Sequence, residues 1–280
     1  PIWCLEELLK IDDHVHEGRY QRLQRKFGIS DPMQFGFKSD GGTDIPIMIT
    51  QQLLEHARMS KEQLFLLYSD LFRAFDNVNV VMGKEIAARR SGKTEKMVRR
   101  RIREEGSIVG DLMLAAGPTS ATLGPKEGTI SRNKGLVQGG VSSPSGFNDA
   151  ADIKICALQR PHPGKVFHLL SEKGEKFHID VTAFADDEKY PAGDEEHLLA
   201  KLKTSWNWSQ TTGVMLSPAK FLLLMIKFDE QGNMVEDLDD VKAWNPDKKI
   251  FEILPKAGIH DRFRDLGFFT SISLKADQSF

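Results

Sequence analysis

Residues 117–147, GPTSATLGPKEGTISRNKGLVQGGVSSPSGF, divide the chain into two parts with different periodicities. The stretch is dense in Gly, Ser, Thr and Pro and reads as a long loop, and loops of this length are functional or disordered. It carries Lys126, Arg132 and Lys134 against Glu127. Before it the spacing is helical. Leu5, Leu8, Leu9 and Leu23 mark a helical region over residues 1–28, and residues 31–48 are Gly- and Pro-rich loop. Ile49 to Phe75 predicts two helices broken near Ser60, where MSKEQL places Gln63 three residues after a Ser, as at a helix start. SIVGDLMLAAG predicts a helix ending at Gly117. After the loop the period becomes strand-like. DIKICAL, KVFHLL and KFHIDVTAF read as short strands. A helix follows from Asp194 to Trp206, with Asp194 as its N-cap. FLLLMIKFDEQGNMV reads as a buried strand and turn, and FEILP and FTSISLK as further strands. The expected fold class is therefore α/β (α+β), with a helical N-terminal half and a C-terminal mixed β-sheet flanked by helices. The expected regions are 1–117, the loop 118–147, and 148–280, which together can form one compact domain.

Composition excludes several classes. The 280 residues are 40% apolar and 28% charged, with formal net charge −2. That is ordinary for a globular protein and leaves room for one or two cores. A charge near zero does not make a tail that coats nucleic acid, so any such contact must rest on a local basic patch. Cys4 and Cys156 lie far apart, with no metal-like spacing, and predict reduced thiols in a cytoplasmic protein. The longest apolar stretch, Phe221 to Ile226, is too short to span a bilayer. PIWCLEELLK lacks the pattern of a signal peptide.

The basic patch is KEIAARRSGKTEKMVRRRIREEG, residues 84–106. SGKT has the ending of a phosphate loop, but Ala87 stands where that loop needs a Gly. Between Lys84 and Arg103, the nine cations Lys84, Arg89, Arg90, Lys93, Lys96, Arg99, Arg100, Arg101 and Arg103 stand against only Glu85 and Glu95. A solvated helix mixes signs for i,i+4 pairing, whereas this imbalance suits phosphates. Ala88, Gly92 and Val98 are spaced so that two helices can cross closely. The segment resembles a helix-turn-helix, with Arg101 where the second helix usually has an apolar residue and Ile102 one position late. The residues expected to hold DNA are Lys93, Thr94, Lys96, Arg99, Arg100 and Arg103.

In ADIKICAL a strand would put Asp152 and Lys154 on one face, and in KFHIDVTAF it would put His178, Asp180 and Thr182 on one face. If these faces adjoin, Asp152 and Asp180 can share a hard cation and Lys154 can orient a water. The pattern resembles the PD-(D/E)xK nuclease family, which includes many type II restriction endonucleases. Asp152 matches the first acid and Asp180 the second; Thr182 stands at the family's lysine position. The resemblance implies a restriction-endonuclease-like fold and a Mg²⁺-dependent endonuclease that hydrolyses double-stranded DNA. Asp152, Lys154 and Asp180 would be catalytic, Asp152 and Asp180 would bind the metal, and a homodimer would cut both strands. Two alternatives stay open. One is a non-catalytic helix-turn-helix DNA-binding regulator. The other is a nucleotidyltransferase, since GLVQGGVSSPSGFNDAADIKI resembles that family's GG turn and Asp-x-Asp strand, with Asp180 as third carboxylate and Lys154 in place of an acid.

Asp12, His14 and His16 in IDDHVHEG resemble the Asp-x-His-x-His strand of metal-dependent amidohydrolases and the His-x-His of relaxases, although LEELLK before them favours a helix. Trp206 and Trp208 read as packing residues. Lys256, His260, Arg262 and Arg264 mark a possible second DNA-facing loop.

Overall fold

The computed structural model describes residues 11, 14–15, 17–22, 31–38, 41–78, 119–122, 129–132, 136, 141, 143–236 and 239–272. They form two compact bodies, each built from discontinuous segments. The first takes its described residues from 1–32, 73–154 and 209–215, the second from 33–72, 155–208 and 216–280. The fold is α+β, with a mostly antiparallel sheet and flanking helices.

The second body is organised by the run LFLLYS. It forms strand β1 (Leu64–Ser69), and Leu64 to Leu67 are all buried. The other strands of its sheet are β2 (Thr182–Phe184), β3 (Asp187–Ala192), β4 (Leu222–Phe228) and β5 (Met234–Val235), in the order β5-β4-β1-β3-β2. All four pairings are antiparallel. β1 has a strand on each side and a covered surface on each face. Leu64 and Leu66 pack with Leu224 and Ile226 against Leu53, Leu54 and Ala57 of helix α1 (Asp44–Ser60). Leu67 lies opposite Tyr190, whose hydroxyl accepts a hydrogen bond from Ser205 of helix α3 (Glu195–Thr212) at 3.0 Å. Truncating a fully buried leucine such as Leu66 to alanine costs about 2–5 kcal/mol.

This corrects the reading of Ile49 to Phe75 as two helices. There is one helix, and Ser60 ends it. The Ser60 hydroxyl donates to the His56 carbonyl, and Lys61 turns left-handed at φ 55° with its N–H on the Ala57 carbonyl. LFLLYS is buried on both faces, so it shows no period-two alternation and resembles a helix segment in sequence.

The acidic EKYPA makes up most of β3. Pro191 is tolerated there because β2 pairs only with Asp187 to Lys189, so Pro191 has no partner on that edge. The helix start at Asp194 is as expected: its carboxylate accepts the His197 N–H at 2.8 Å. FLLLMIKFDEQGNMV forms the β4–β5 hairpin, and FEILP overlaps the strand Ile250–Ile253.

Helix α2 (Ser143–Leu158) begins at SPSG, and its part in the first body, up to Lys154, buries Phe147, Ala150 and Ala151. Phe147 stacks on Phe75 at 5.2 Å. Tyr20 donates to Asp149 at 2.5 Å. Thr119–Thr122 and Thr129–Arg132, within the expected long loop, pair as a hairpin.

Candidate active site

The residues singled out for metal chemistry do not lie on two strands. ADIKICAL is part of α2, and its alternation also fits helical spacing: Phe147, Ala151, Ile155 and Leu158 fall on one buried stripe. Asp152, 1% exposed, accepts the Asp31 N–H at 3.2 Å and 3.3 Å on its two oxygens. Lys154 is fully buried. Asp180 belongs to the second body and precedes β2. Lys201 reaches its carboxylate at 3.1 Å and His178 at 3.3 Å. Lys201 also donates to the carbonyls of Asp180 and Pro191. Burial pulls the Lys201 ammonium down to about 8 despite Asp180. Among the described residues no three His, Cys, Asp or Glu side chains meet closely enough to hold one metal ion.

Lys93, Thr94, Lys96, Arg99, Arg100 and Arg103 lie outside the described residues, as do Asp12 and His16. His14 is helical, not part of a strand. Trp206 and Trp208 are buried packing residues. Lys256 donates to the Asp239 carbonyl at 2.6 Å, and Arg262 and Arg264 are exposed on a hairpin strand.

The second body contains an acidic group that the sequence reading passed over. β1 ends at Ser69 and Asp70 follows it. β2 and β3 are joined by a two-residue turn, Ala185-Asp186, because Phe184 pairs with Asp187. Ser69 pairs with Glu188, and one further step of that antiparallel register sets Asp70 opposite Asp187. Opposite residues share a face, so Asp70 and Asp187 project from the same side of the sheet end, with Asp186 beside them. The pair can be found in sequence as AFADDEKY: two acids at the junction of two short strands, with a third acid directly after an apolar run.

The charges interact. The Asp187 carboxyl is pushed up to about 6, first by desolvation and then by the negative charges of Asp186 and Asp70. Asp187 itself keeps an exposed side. Lys220 opposes this shift and donates to Asp70 Oδ2 at 2.9 Å. The Lys220 side chain is 62% exposed and that of Asp70 18%. The other oxygen, Asp70 Oδ1, is buried and has no hydrogen-bond partner among protein atoms. Such an atom ordinarily costs about 1–3 kcal/mol, and a cation at this position would remove that cost.

Behind the acids the sheet is tied down by a buried ion pair. Lys189, two residues from Asp187 on β3, bonds Asp265 at 2.6 Å and the Thr50 hydroxyl at 2.8 Å. Tyr68 donates to the same aspartate at 3.2 Å. The site itself is open. A cleft of about 230 Å³ is lined by Trp206, Phe221, Trp244 and Leu254, and one of about 380 Å³ by Arg58, Met59, Phe228 and Met234; neither includes the three aspartates.

No protein-family model matches this chain, and no curated protein does. Among solved structures, the chain has a likeness to the telomerase of Candida tropicalis in complex with a TWJ fragment of telomeric RNA, with a TM-score of 0.48 and 13% identity. The match covers 86% of this chain and 36% of the telomerase chain, so this chain spans well under half the length of that protein.

Proposed function

We propose that the chain is a metal-dependent phosphoryl-transfer enzyme acting on nucleic acid, and that it extends a strand by nucleotidyl transfer. The observation that carries this reading is the buried, unpartnered Oδ1 of Asp70 at the sheet end where Asp186 and Asp187 crowd. Carboxylate oxygens are the donors that Mg²⁺ takes. Asp70 and Asp187 would hold it, since one or two carboxylates with substrate phosphates suffice for this ion, and the pKa of Asp187, raised by burial and then by the charges of Asp186 and Asp70, includes a repulsion that a divalent ion relieves. When bound, such ions neutralise phosphate charge and acidify the attacking hydroxyl. The open edge suits a polymer rather than an enclosed small molecule.

In the reaction, a strand's 3′-hydroxyl oxygen bonds the α-phosphorus of a nucleoside triphosphate. The bond from that phosphorus to its bridging oxygen breaks, and pyrophosphate leaves with the electron pair. The hydroxyl proton passes to solvent. Lys220 favours transfer over cleavage. Its exposed ammonium can turn from Asp70 to the departing pyrophosphate, which gathers far more negative charge than a cut phosphodiester end. Lys93, Lys96, Arg99, Arg100 and Arg103 remain the chain's candidate phosphate contacts. The second reading is hydrolysis of DNA at the same carboxylates, the reaction that the sequence reading assigned instead to Asp152, Lys154 and Asp180.

The test is incubation with a primer annealed to a template, nucleoside triphosphates and Mg²⁺, alongside supercoiled plasmid. Longer primers that fail to form with the Asp186→Asn, Asp187→Asn double variant support the reading. Plasmid cleavage without extension favours hydrolysis, and extension that survives the double substitution sinks the assignment.

A further inference from the structure

The turn that presents Asp186 and Asp187 is conformationally costly. Ala185 opens it at φ 58°, a left-handed conformation that costs a residue with a Cβ on the order of 1–2 kcal/mol. Glycine normally fills such a position. Strained backbone persists where its surroundings over-determine it, and here they do so through one side chain. Gln34, fully buried, accepts the Ala185 N–H on Oε1 at 2.9 Å and donates from Nε2 to the Ala185 carbonyl at 3.1 Å. The same Oε1 accepts the Gly36 N–H at 2.9 Å. On either side of Gln34 the backbone joins β2: the Phe35 N–H donates to the Ala183 carbonyl at 2.7 Å, and the Ala183 N–H to the Met33 carbonyl at 2.9 Å. Gly36 lies so close that a Cβ there would come within 2.3 Å of the Ala185 nitrogen. The segment MQFG is thus an extra edge on β2, with an amide side chain closed over both polar groups of the strained residue.

We infer that Gln34 is the positioning residue of the carboxylate pair: by clamping Ala185 it fixes the direction in which Asp186 and Asp187 leave the turn, and so the affinity of the site for divalent metal. The inference rests on the proposed metal-dependent reading of that site. Gln34 touches no reacting atom and acts through the backbone of the turn. Supporting groups of this kind set metal affinity by about 10–100-fold. The strain makes a specific rescue available, because glycine holds φ 58° without a clamp.

The test uses the full chain and Mn²⁺ as the probe, read by its electron paramagnetic resonance signal, with primer extension measured in parallel. Gln34→Met keeps length and volume and removes both polar atoms. Its Mn²⁺ affinity is expected to fall at least tenfold, with a cooperative thermal transition retained. Adding Ala185→Gly is expected to restore a large part of that loss. A folded Gln34→Met protein with wild-type Mn²⁺ affinity overturns the inference, as does a loss that Ala185→Gly does not reduce. If Gln34→Met does not fold, Gln34→Glu takes its place. It keeps the acceptor for Ala185 and Gly36 but sets a carboxylate oxygen against the Ala185 carbonyl, and the same two outcomes apply. Wild-type protein that binds no Mn²⁺ refutes the metal-dependent reading itself, a result distinct from unaltered binding in the variant.

Discussion

Asp180 and Asp70 lie in the same body, each beside a lysine at hydrogen-bond distance, yet the two lysines differ in kind. Lys201 is 1% exposed and spends its donors on the Asp180 carboxylate and on two backbone carbonyls. Lys220 is 62% exposed and meets one carboxylate oxygen, with the other left buried and unpartnered. A buried ammonium with several fixed acceptors is part of the packing and cannot leave without a large cost. An exposed ammonium on a single oxygen is held by an interaction of small net value and can be exchanged for another cation. The same pair of residue types is therefore a structural rivet in one place and a replaceable counter-ion in the other.

The comparison breaks most sharply at the aspartates. Asp70→Asn or Asp187→Asn is expected to lower primer extension by about a thousandfold or more, the scale of several kcal/mol of lost charge stabilisation. Asp180→Asn, measured in the same assay, should stay within about tenfold of wild type. A reversal of that order would return the chemistry to Asp180. The lysines should invert the ranking when stability is measured. Lys201→Met leaves the buried side of Asp180 and two carbonyls without their donor, and urea unfolding should register a loss of about 3–5 kcal/mol. Lys220→Gln should change stability by less than about 1 kcal/mol, while extension falls about tenfold through a rate effect at saturating Mg²⁺. Equal stability losses in the two variants would erase the distinction.

Why the sequence pointed to Asp180 and missed Asp70 has a physical answer. Alternation over six or seven residues does not distinguish a strand from one stripe of a helix, and DIKICAL satisfies both. Its ends decide: Ser143 and Pro144 start a helix that Phe147 and Ala151 then bury. LFLLYS failed for the opposite reason, since a strand covered on both faces has no alternation to read. With β1 taken as a helix, Asp70 had no sheet end to occupy and the adjacent acids in AFADD had no neighbour. Features controlled by local chemistry were legible: the Asp194 cap, the helix behind it, and the β4–β5 hairpin with its Gly232 at φ 79°. Gln34 could not have been found, because its role depends on a contact 151 residues away in sequence.

The two regions should also answer pH with opposite signs, the smallest of the effects. Asp187 titrates at about 6 in the folded chain and near 3.8 when unfolded. The folded state therefore holds a proton that the unfolded state has released between those values. Its contribution to stability is fully present below 3.8 and is lost as pH rises through 6. Near Lys201 the sign is reversed. His162 and His197 pack with ring centroids 6.2 Å apart, and both titrate below the ordinary 6.5, first through burial and then through the Lys201 charge. Asp180 opposes the shift in both, and the backbone of Ala157 and Leu158 opposes it in His162 and that of Lys165 in His197. Their contribution is full above 6.5 and is lost as pH falls through the lowered folded values. Where the two ranges overlap below pH 6.5 the two slopes oppose one another, so the wild-type urea midpoint should change less there than either region alone would make it. Asp187→Asn removes one slope and leaves the other. Its midpoint should lie above wild type at pH 7, converge on wild type near pH 4, and fall more steeply towards acid than wild type does. A midpoint offset that is constant across that range would mean that neither burial nor the neighbouring carboxylates raise Asp187, and would remove the crowding on which the metal site depends.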